Sequence, residues 1–566
     1  MKRLLIVVVI AAGVAAYFYS RSRAPAPAPA PAPEPPPAVV SLVGATLLEG
    51  LGDYQFAVTS KHPEVQRWFN QGLMLTYGFN HDAAERSFLR AAELDPECAM
   101  CWWGAALVLG PHVNSGMDPG NHAKAWQRLQ KAQQFTAKAT PREQGFIKAL
   151  SARYVEQPGA DRSALDAAYA EASGALAREL PGDPDAATFW AEAMMDTQPW
   201  DYYDAELKPK GHTEHIVFVL ESVMARHPDH AGALHLYVHA VEASADPQRG
   251  VAAADRLRVL IPGSGHLVHM PAHIYARVGR WHDAVLANQV AIQADDAYLE
   301  VCRGNAQGLY PLGYVPHNHH FLWFAASMEG SRAVAKAAAE ATSARTNLPD
   351  LMRQPGFAGL QHYWMTDWFR RVRFGRWEEI VDAPNPAPDL PYVTAIWHYA
   401  RGMAAVRDRE LEQAEQHLAA LAKLAADPEL AKLTVWDRYP LSHAVRIAER
   451  TLHGELATVN GDTWAGIEAL REAVLIEDGI PYDEPPGWHA PTRHTLGAML
   501  LAAGDAKSAE ATYREELQRN PENGWSLFGL AQSLRAQQRG EEAAEVQRRF
   551  DAAWQHADIV LAASRL

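Results

Sequence analysis

The spacing of apolar and polar residues predicts helices along almost the whole chain. From about residue 62 onward, alanine-rich stretches place apolar residues three or four positions apart, which is the period of an amphipathic α-helix. Short turns containing Pro, Gly or Asp separate these stretches, and the strict alternation typical of β-strands is almost absent. The pattern therefore predicts an all-α protein whose short helices bury their apolar faces against one another.

Small residues, aromatics and prolines recur along these helices with the spacing of a helix-turn-helix repeat of about 34 residues. Two copies of the pattern are Trp68-x3-Gly72-x11-Ala84-x3-Phe88-x2-Ala91-x4-Pro96 and Leu496-Gly497-x11-Ala509-x3-Tyr513-x7-Pro521. The turn of the repeat recurs at Gly279-Arg280-Trp281 and at Gly375-Arg376-Trp377. With these motifs the chain resembles the tetratricopeptide repeat family over most of residues 62–550.

The resemblance implies a right-handed α-solenoid of tetratricopeptide-like repeats, in which the first helix of each unit lines a concave groove. We divide the array into N-terminal repeats over residues 41–230, histidine-rich repeats over residues 231–375 and C-terminal repeats over residues 376–566. A repeat scaffold of this kind carries many different functions, so the fold alone does not predict one.

The N-terminal segment, residues 1–23, has the pattern of an export signal. Lys2 and Arg3 precede an apolar run, Leu4–Tyr19, which is slightly shorter than the roughly 20 residues of a membrane-spanning helix. We favour an uncleaved signal anchor over a removed signal peptide. The Ala/Pro repeat in residues 24–40 then predicts an extended spacer. Together these segments predict a bacterial exported protein, anchored to the inner membrane and facing the periplasm.

Composition narrows the kinds of partner. The 566 residues carry a formal net charge of −15 and no basic stripe, which argues against a nucleic-acid partner because such proteins use clustered Lys and Arg to neutralise phosphates. Neither a phosphate-binding glycine loop nor a dinucleotide-binding fingerprint is present. A small-molecule or peptide substrate in the groove is the partner that we expect, and the oligomeric state is left open.

Histidine supplies the strongest chemical signal. Nine of the 25 histidines lie between His235 and His320. When the helices are aligned on the repeat, His282 and His319 face away from the groove. The other seven fall on the groove-facing stripe of three successive units: His235, His239, His266, His269, His273, His317 and His320.

Imidazoles on adjacent helices can converge on one metal ion, and histidines four residues apart on one helix are a known pair of metal ligands. Seven imidazoles exceed the four ligands of one tetrahedral ion, so the set predicts one or two transition-metal ions. We favour copper slightly over zinc or iron because Met270 and Met365 offer thioethers nearby. Tyr310 and Tyr314 are then candidate redox residues of a metal-dependent oxidoreductase. A zinc hydrolase with Glu242 as general base is the competing mechanism.

An insertion of about 17 residues, 303–319, interrupts the histidine-rich repeats. Its Gly, Pro and Tyr residues are typical either of a lid over the groove or of a passive surface loop. Pro271 removes a helix hydrogen bond, so it should kink the helix or begin a new one between His269 and His273.

Several weaker candidates remain. His362 and Met365 continue the histidine stripe into the next unit, whereas His81 and His112 lie in the N-terminal repeats. Cys98 and Cys101 have the spacing of a disulfide, of packed thiols or of soft metal ligands. The alternative to a metalloprotein is a membrane-tethered scaffold that binds a peptide or protein partner in the same groove.

Overall fold

The computed structural model describes residues 44–159, 161–302 and 304–566. The described part from residue 44 onward belongs to one compact unit. It is an all-α solenoid of tetratricopeptide-like helix pairs, which confirms the predicted fold class. The predicted signal segment, residues 1–23, and the spacer, residues 24–40, lie outside the described residues. Within the described ranges, no helix has the length and apolar character needed to cross a membrane.

The described residues of the N-terminal repeats form eight α-helices. Their bounds are α1 Val65–Tyr77, α2 His81–Leu94, α3 Ala99–Leu107, α4 His122–Gln134, α5 Pro141–Leu150, α6 Ser163–Glu179, α7 Pro184–Asp196 and α8 Thr213–Arg226. The histidine-rich repeats follow, with α9 Ala231–Glu242, α10 Val251–Leu260, α11 Gly265–His269, α12 Pro271–Arg277, α13 Trp281–Cys302, α14 Val315–Glu329, α15 Arg332–Thr346, α16 Gly359–Trp364 and α17 Thr366–Arg373.

The C-terminal repeats complete the array. Their bounds are α18 Pro391–Asp408, α19 Leu411–Ala425, α20 Ser442–Val459, α21 Thr463–Asp478, α22 Thr492–Ala502, α23 Ala506–Arg519, α24 Gly524–Ala536 and α25 Gly540–Ala553. A small antiparallel hairpin, β1 Thr434–Val435 and β2 Tyr439–Pro440, interrupts the helices before α20.

The glycines of the repeat motif explain how neighbouring helices pack. Phe88 of α2 is fully buried, and a methyl group added at Gly72 of α1 or at Gly104 of α3 would lie 2.7 or 2.5 Å from its ring. Gly497 of α22 and Gly529 of α24 contact Tyr513 in the same way. An aromatic ring on the second helix of a unit therefore needs a glycine on each flanking helix, and this requirement sets the repeating pattern.

The solenoid curls so that its C-terminal repeats return to the middle of the chain. The indole N–H groups of Trp281 and Trp525 donate to the carbonyl oxygens of Pro521 and Ser327, at 2.9 and 2.8 Å. On the other side, α1 packs against α9, where Gly232 leaves room for the ring of Tyr77. The concave side of the histidine-rich repeats is consequently covered by other parts of the same chain.

Candidate metal centre

Four helices bring six histidines together. His235 and His239 lie one turn apart on α9, and their partner His266 lies on α11. The backbone breaks at Met270, so that Pro271 begins α12, as the sequence predicts. This break separates His269, the last residue of α11, from His273 on α12. His317 on α14 completes the group.

The six imidazoles form two groups of three, which we call the first and second triads. The first triad is His235, His239 and His266, whose ligand nitrogens all lie within 4.8 Å of one another. The Nε2 atoms of His235 and His266 are 3.1 Å apart. The Nε2 atom of His239 is buried and has no hydrogen-bond partner among the described residues.

The second triad is His269, His273 and His317, whose ligand nitrogens also lie within 4.8 Å of one another. The Nε2 atoms of His269 and His273 are only 2.8 Å apart. The rings of His239 and His273, one from each triad, have their centroids 6.0 Å apart. The two triads are therefore neighbours, each with its own set of nitrogens.

In His235 and in His269, one imidazole nitrogen points away from the triad. The hydrogen bond that this nitrogen makes determines which nitrogen faces the triad. Nδ1 of His235 lies 2.6 Å from the carbonyl oxygen of Tyr77, which accepts only, so this Nδ1 carries the proton. Nδ1 of His269 donates to Oδ1 of Asn288 at 2.7 Å. The amide of Asn288 is itself oriented, because its Nδ2 donates to the carbonyl oxygen of Ala284 at 2.8 Å. Both Nε2 atoms therefore present lone pairs.

Glu242 connects the two triads. Its Oε1 accepts from Nδ1 of His239 at 2.8 Å, and its Oε2 accepts from Nδ1 of His273 at 2.6 Å. The side chain is fully buried. Burial raises the pKa of Glu242, but the charge of His273 and the hydrogen bonds from both histidines outweigh burial and lower that pKa to about 2. Carboxylates that orient a histidine in this way are typical partners of metal-binding imidazoles.

The separation of the Nε2 atoms of His269 and His273 indicates what the second triad can bind. His269 and His273 both use Nδ1–H as a donor, so their neutral rings point two lone pairs at each other across 2.8 Å. A proton on one ring, shared as Nε2–H···Nε2, would relieve the repulsion, although burial lowers the pKa of the His269 imidazole well below its usual value. A cation bound by both nitrogens removes the conflict. Two nitrogens about 2.05 Å from one metal ion are about 2.9 to 3.4 Å apart at angles of 90° to 110°.

The triads are buried, whereas the sequence alone predicts histidines facing an open groove. The exposed fraction is 3% or less for five of the six residues, and only His317 is partly exposed. The reason is the curl of the solenoid, which places α1 and the loop after α21 over the concave side. Burial, in each case with the charges of neighbouring imidazoles, lowers the pKa of three more histidines well below the usual value: His235, His266 and His317.

A cavity of about 750 Å³ opens onto both triads. Its wall includes His239 and His266 of the first triad together with His273 and His317 of the second. This volume is in the range of small-molecule sites in proteins. A molecule in the cavity would therefore contact both histidine groups.

Glu484 is a site residue that sequence reasoning missed. It lies in the loop between α21 and α22, yet its Oε2 is 3.4 Å from Nδ1 of His273, and it joins Glu242 and His273 in a third ligand-like group. Burial and then the nearby Glu242 raise the pKa of Glu484 well above its usual range. The acidic pair at Asp483 and Glu484 is visible in the sequence, but nothing local connects it to histidines so far away along the chain.

The insertion lies beside the first triad. A turn of π-helix, Tyr310–Tyr314, leads directly into α14. The hydroxyl of Tyr310 donates to Asp295 at 2.8 Å and accepts the backbone N–H of His266 at 3.1 Å, so it holds the start of α11. The ring of Tyr314 packs 4.5 Å from that of His266 and lines the cavity. Of the two predicted tyrosines, only Tyr314 lines the cavity.

Three candidates on the predicted stripe are not gathered with the triads. His320 lies one turn beyond His317, stacked on Trp323 and 6.0 Å from His362, between centroids. His362 binds the hydroxyl of Tyr392 through Nδ1 at 2.6 Å. Met365 is fully buried where α16 ends. Successive units are rotated about the axis of the superhelix. This part of the stripe therefore lies in the interface between the next helices.

Of the candidate residues in the N-terminal repeats, one lines the cavity and the others do not. His112 lines the cavity, stacks on Phe79 and meets His81 edge to face, with centroid separations of 4.6 and 4.5 Å. His81 is enclosed, and burial lowers its pKa to about 4. Cys98 and Cys101 form a disulfide in a separate small core, so they are not ligands of the triads.

The two histidines assigned away from the groove are placed as expected. Nδ1 of His282 pairs with Glu329 at 3.1 Å, and its ring stacks on His556. His319 accepts a hydrogen bond from Arg345 at 3.0 Å. Neither belongs to a triad.

Comparison with known proteins adds little. No protein-family model and no curated protein matches the chain. Similar solved structures include human IFIT1 bound to m7Gppp-AAAA (13% identity, TM-score 0.28, covering 88% of this chain and 91% of that one). They also include the APC/C Cut9–Hcn1 hetero-tetramer (14%, 0.28, 88% and 95%) and Naa15/Naa10 bound to HypK (13%, 0.23, 86% and 70%). Likenesses this distant say nothing about the chemistry of the triads.

Proposed function

We propose that this protein is an exported metalloprotein that binds two transition-metal ions, one in each histidine triad. The observation that carries the proposal is the pair of Nε2 atoms of His269 and His273, 2.8 Å apart, with both Nδ1–H groups already donated elsewhere. In the first triad, the Nδ1–H groups of His235 and His239 are also donated, to Tyr77 and Glu242, so their Nε2 atoms face the triad. Ordinary core histidines rarely leave so many lone pairs without a donor.

Two ions fit the geometry better than one. Each triad supplies three nitrogens within 4.8 Å, which is enough for one ion with a coordination position left for a ligand. The triads are separated by about the width of a ring, since the centroids of His266 and His269 are 6.0 Å apart. Glu242 holds one imidazole of each triad, so the two centres share one support.

Copper is the metal that we favour. All six ligands are imidazoles, and nitrogen sites generally bind Cu²⁺ most tightly among the divalent first-row metals. Zinc also binds three imidazoles and is the alternative that the test below distinguishes.

We propose an oxidoreductase acting on a small molecule in the cavity. Copper, when bound, would supply one-electron redox chemistry, and the wall residues of the cavity would orient the substrate beside it. In the alternative, a zinc hydrolase, Glu242 would serve as general base. This carboxylate is buried behind the histidines, however, and both of its oxygens accept hydrogen bonds from them. The alternative of a peptide-binding scaffold needs an open groove, but here loops of the C-terminal repeats, with Trp436 and Glu484, form part of the wall around that space.

Export and membrane attachment belong to the same proposal. The N-terminal sequence pattern supports export to the periplasmic side of the inner membrane, and the Cys98–Cys101 disulfide suits an oxidising compartment. The Ala/Pro spacer would hold the solenoid away from the bilayer.

Metal analysis of protein purified without a histidine tag tests the proposal. We expect close to two equivalents of metal in the wild type, about one in His235→Ala or His269→Ala, and almost none in the double variant. His489→Ala is the control, because this buried histidine lies outside both triads. An electron paramagnetic resonance signal of Cu²⁺ would select copper over zinc. Metal contents that do not change in the three triad variants would refute the proposal.

A further inference from the structure

Glu484 places a carboxyl group in the cavity beside the second triad. The side chain is 5% exposed, and its Oε1 accepts a hydrogen bond from the hydroxyl of Tyr482. The same hydroxyl is 3.4 Å from Oε2 of Glu242, so the loop after α21 is tied to the carboxylate that joins the triads.

The other oxygen of Glu484 lacks a hydrogen-bond partner among the described residues. Oε2 is buried and points towards His273, whose Nδ1–H is already donated to Glu242 at 2.6 Å. Leaving a buried carboxyl oxygen without a partner is costly, and folded proteins rarely do so. Glu484 lines the cavity, so a molecule in the cavity can supply the missing partner.

Four aromatic side chains belong to the remaining wall, beside polar and charged side chains. Trp200, Tyr314, Tyr363 and Trp436 all line the cavity. The indole N–H of Trp200 is already used, because it donates to Oδ1 of Asn114 at 3.1 Å. These side chains therefore offer ring faces and edges, which suit a flat aromatic molecule.

We propose that the cavity binds a phenol, whose hydroxyl hydrogen-bonds Oε2 of Glu484 while its ring packs against the aromatic wall. A phenolic hydroxyl both donates and accepts, so it matches a carboxyl group in either protonation state. The position of Glu484 beside His273 brings this hydroxyl next to the second triad. The inference deepens the proposed function, on which it rests, by naming the chemical class of the substrate. The phenol is either a small molecule or a tyrosine side chain.

Calorimetric titration with matched probes tests the inference. 4-Methylphenol has the hydroxyl, 4-methylanisole carries a methyl ether in its place, and 4-methylcyclohexanol has the hydroxyl without the aromatic ring. We expect 4-methylphenol to bind at least about tenfold more tightly than either of the others to zinc-loaded wild type, in which no redox turnover occurs. N-acetyltyrosinamide in the same titration tells a tyrosine side chain from a small phenol.

Glu484→Leu removes the carboxyl group, and we expect it to weaken 4-methylphenol about tenfold while 4-methylanisole is unchanged. The unchanged ether shows that the cavity is intact. If the leucine variant does not fold, Glu484→Ala takes its place. This substitution also removes both carboxyl oxygens, and a loss of affinity specific to the phenol is expected. Equal affinities of the phenol and the ether in wild type, or a phenol affinity unchanged by both variants, would overturn the inference.

Metal content is measured in every sample, and the titrations are repeated on metal-free protein. Wild type that binds no metal but prefers the phenol would contradict the proposed metal site and support the role of Glu484. Wild type that holds two ions but shows no preference among the probes would support the proposed metal site and contradict the role of Glu484. The two proposals therefore fail separately.

Discussion

Glu242→Gln is the sharpest perturbation of the proposed metal centre, because this one side chain contacts both triads. The carboxylate accepts Nδ1–H of His239 at 2.8 Å and Nδ1–H of His273 at 2.6 Å. A glutamine has nearly the same shape but only one acceptor oxygen. Its amide nitrogen, which is a donor, would face the Nδ1–H donor of the other histidine. One imidazole thus loses its support, and the other keeps a weaker, uncharged partner.

The expected loss of metal affinity follows from the number of hydrogen-bond partners that the histidines lose. Removing a hydrogen-bond partner of a metal-ligating histidine typically costs about 10- to 100-fold in metal affinity, or roughly 1.4 to 2.7 kcal/mol. We expect a loss of that size in the triad whose histidine faces the amide nitrogen, and a smaller loss in the other. Competition of metal-free protein against a chelator of known affinity, fitted to two sites, measures both.

Asn288→Leu is the matched control. Asn288 supports only His269, so this substitution should weaken the second triad and leave the first unchanged. Two affinities within about threefold of wild type in a folded Glu242→Gln protein would refute the reasoning. That outcome would mean that the carboxylate does not orient metal ligands.

Two further predictions concern the scaffold. Gly104→Ala puts a methyl group 2.5 Å from the Phe88 ring and should lower the free energy of unfolding by about 1 to 3 kcal/mol in urea titrations, whereas Gly540→Ala, with open space around it, should not. Burial, with the nearby Glu477, raises the pKa of Glu516 to about 8, so the folded state favours its neutral form and loses stability as pH rises from about 4.5 to about 8. Glu516→Gln should therefore gain stability relative to wild type across that range, by on the order of a few kcal/mol, and a difference that is the same at pH 5 and pH 8.5 would contradict this.

The sequence by itself determined the fold class and most of the proposed ligand set. Helical periodicity and the glycine–aromatic pattern around Phe88 are local properties, because a helix face is defined by residues three and four apart. Aligning the units on that pattern selected all six triad histidines, and Pro271 marked the break between α11 and α12. The same alignment also selected His320, which the structure places in the neighbouring interface.

Only the tertiary structure decided how those histidines are grouped and what covers them. The division into two triads, the bridge through Glu242 and the arrival of Glu484 depend on the angles at which successive units stack. Small rotations between units add up along a solenoid, so contacts between distant repeats cannot be predicted from local periodicity. The curl that buries the triads is the sum of these rotations, and it turns a stripe of histidines into a cavity with two candidate metal sites.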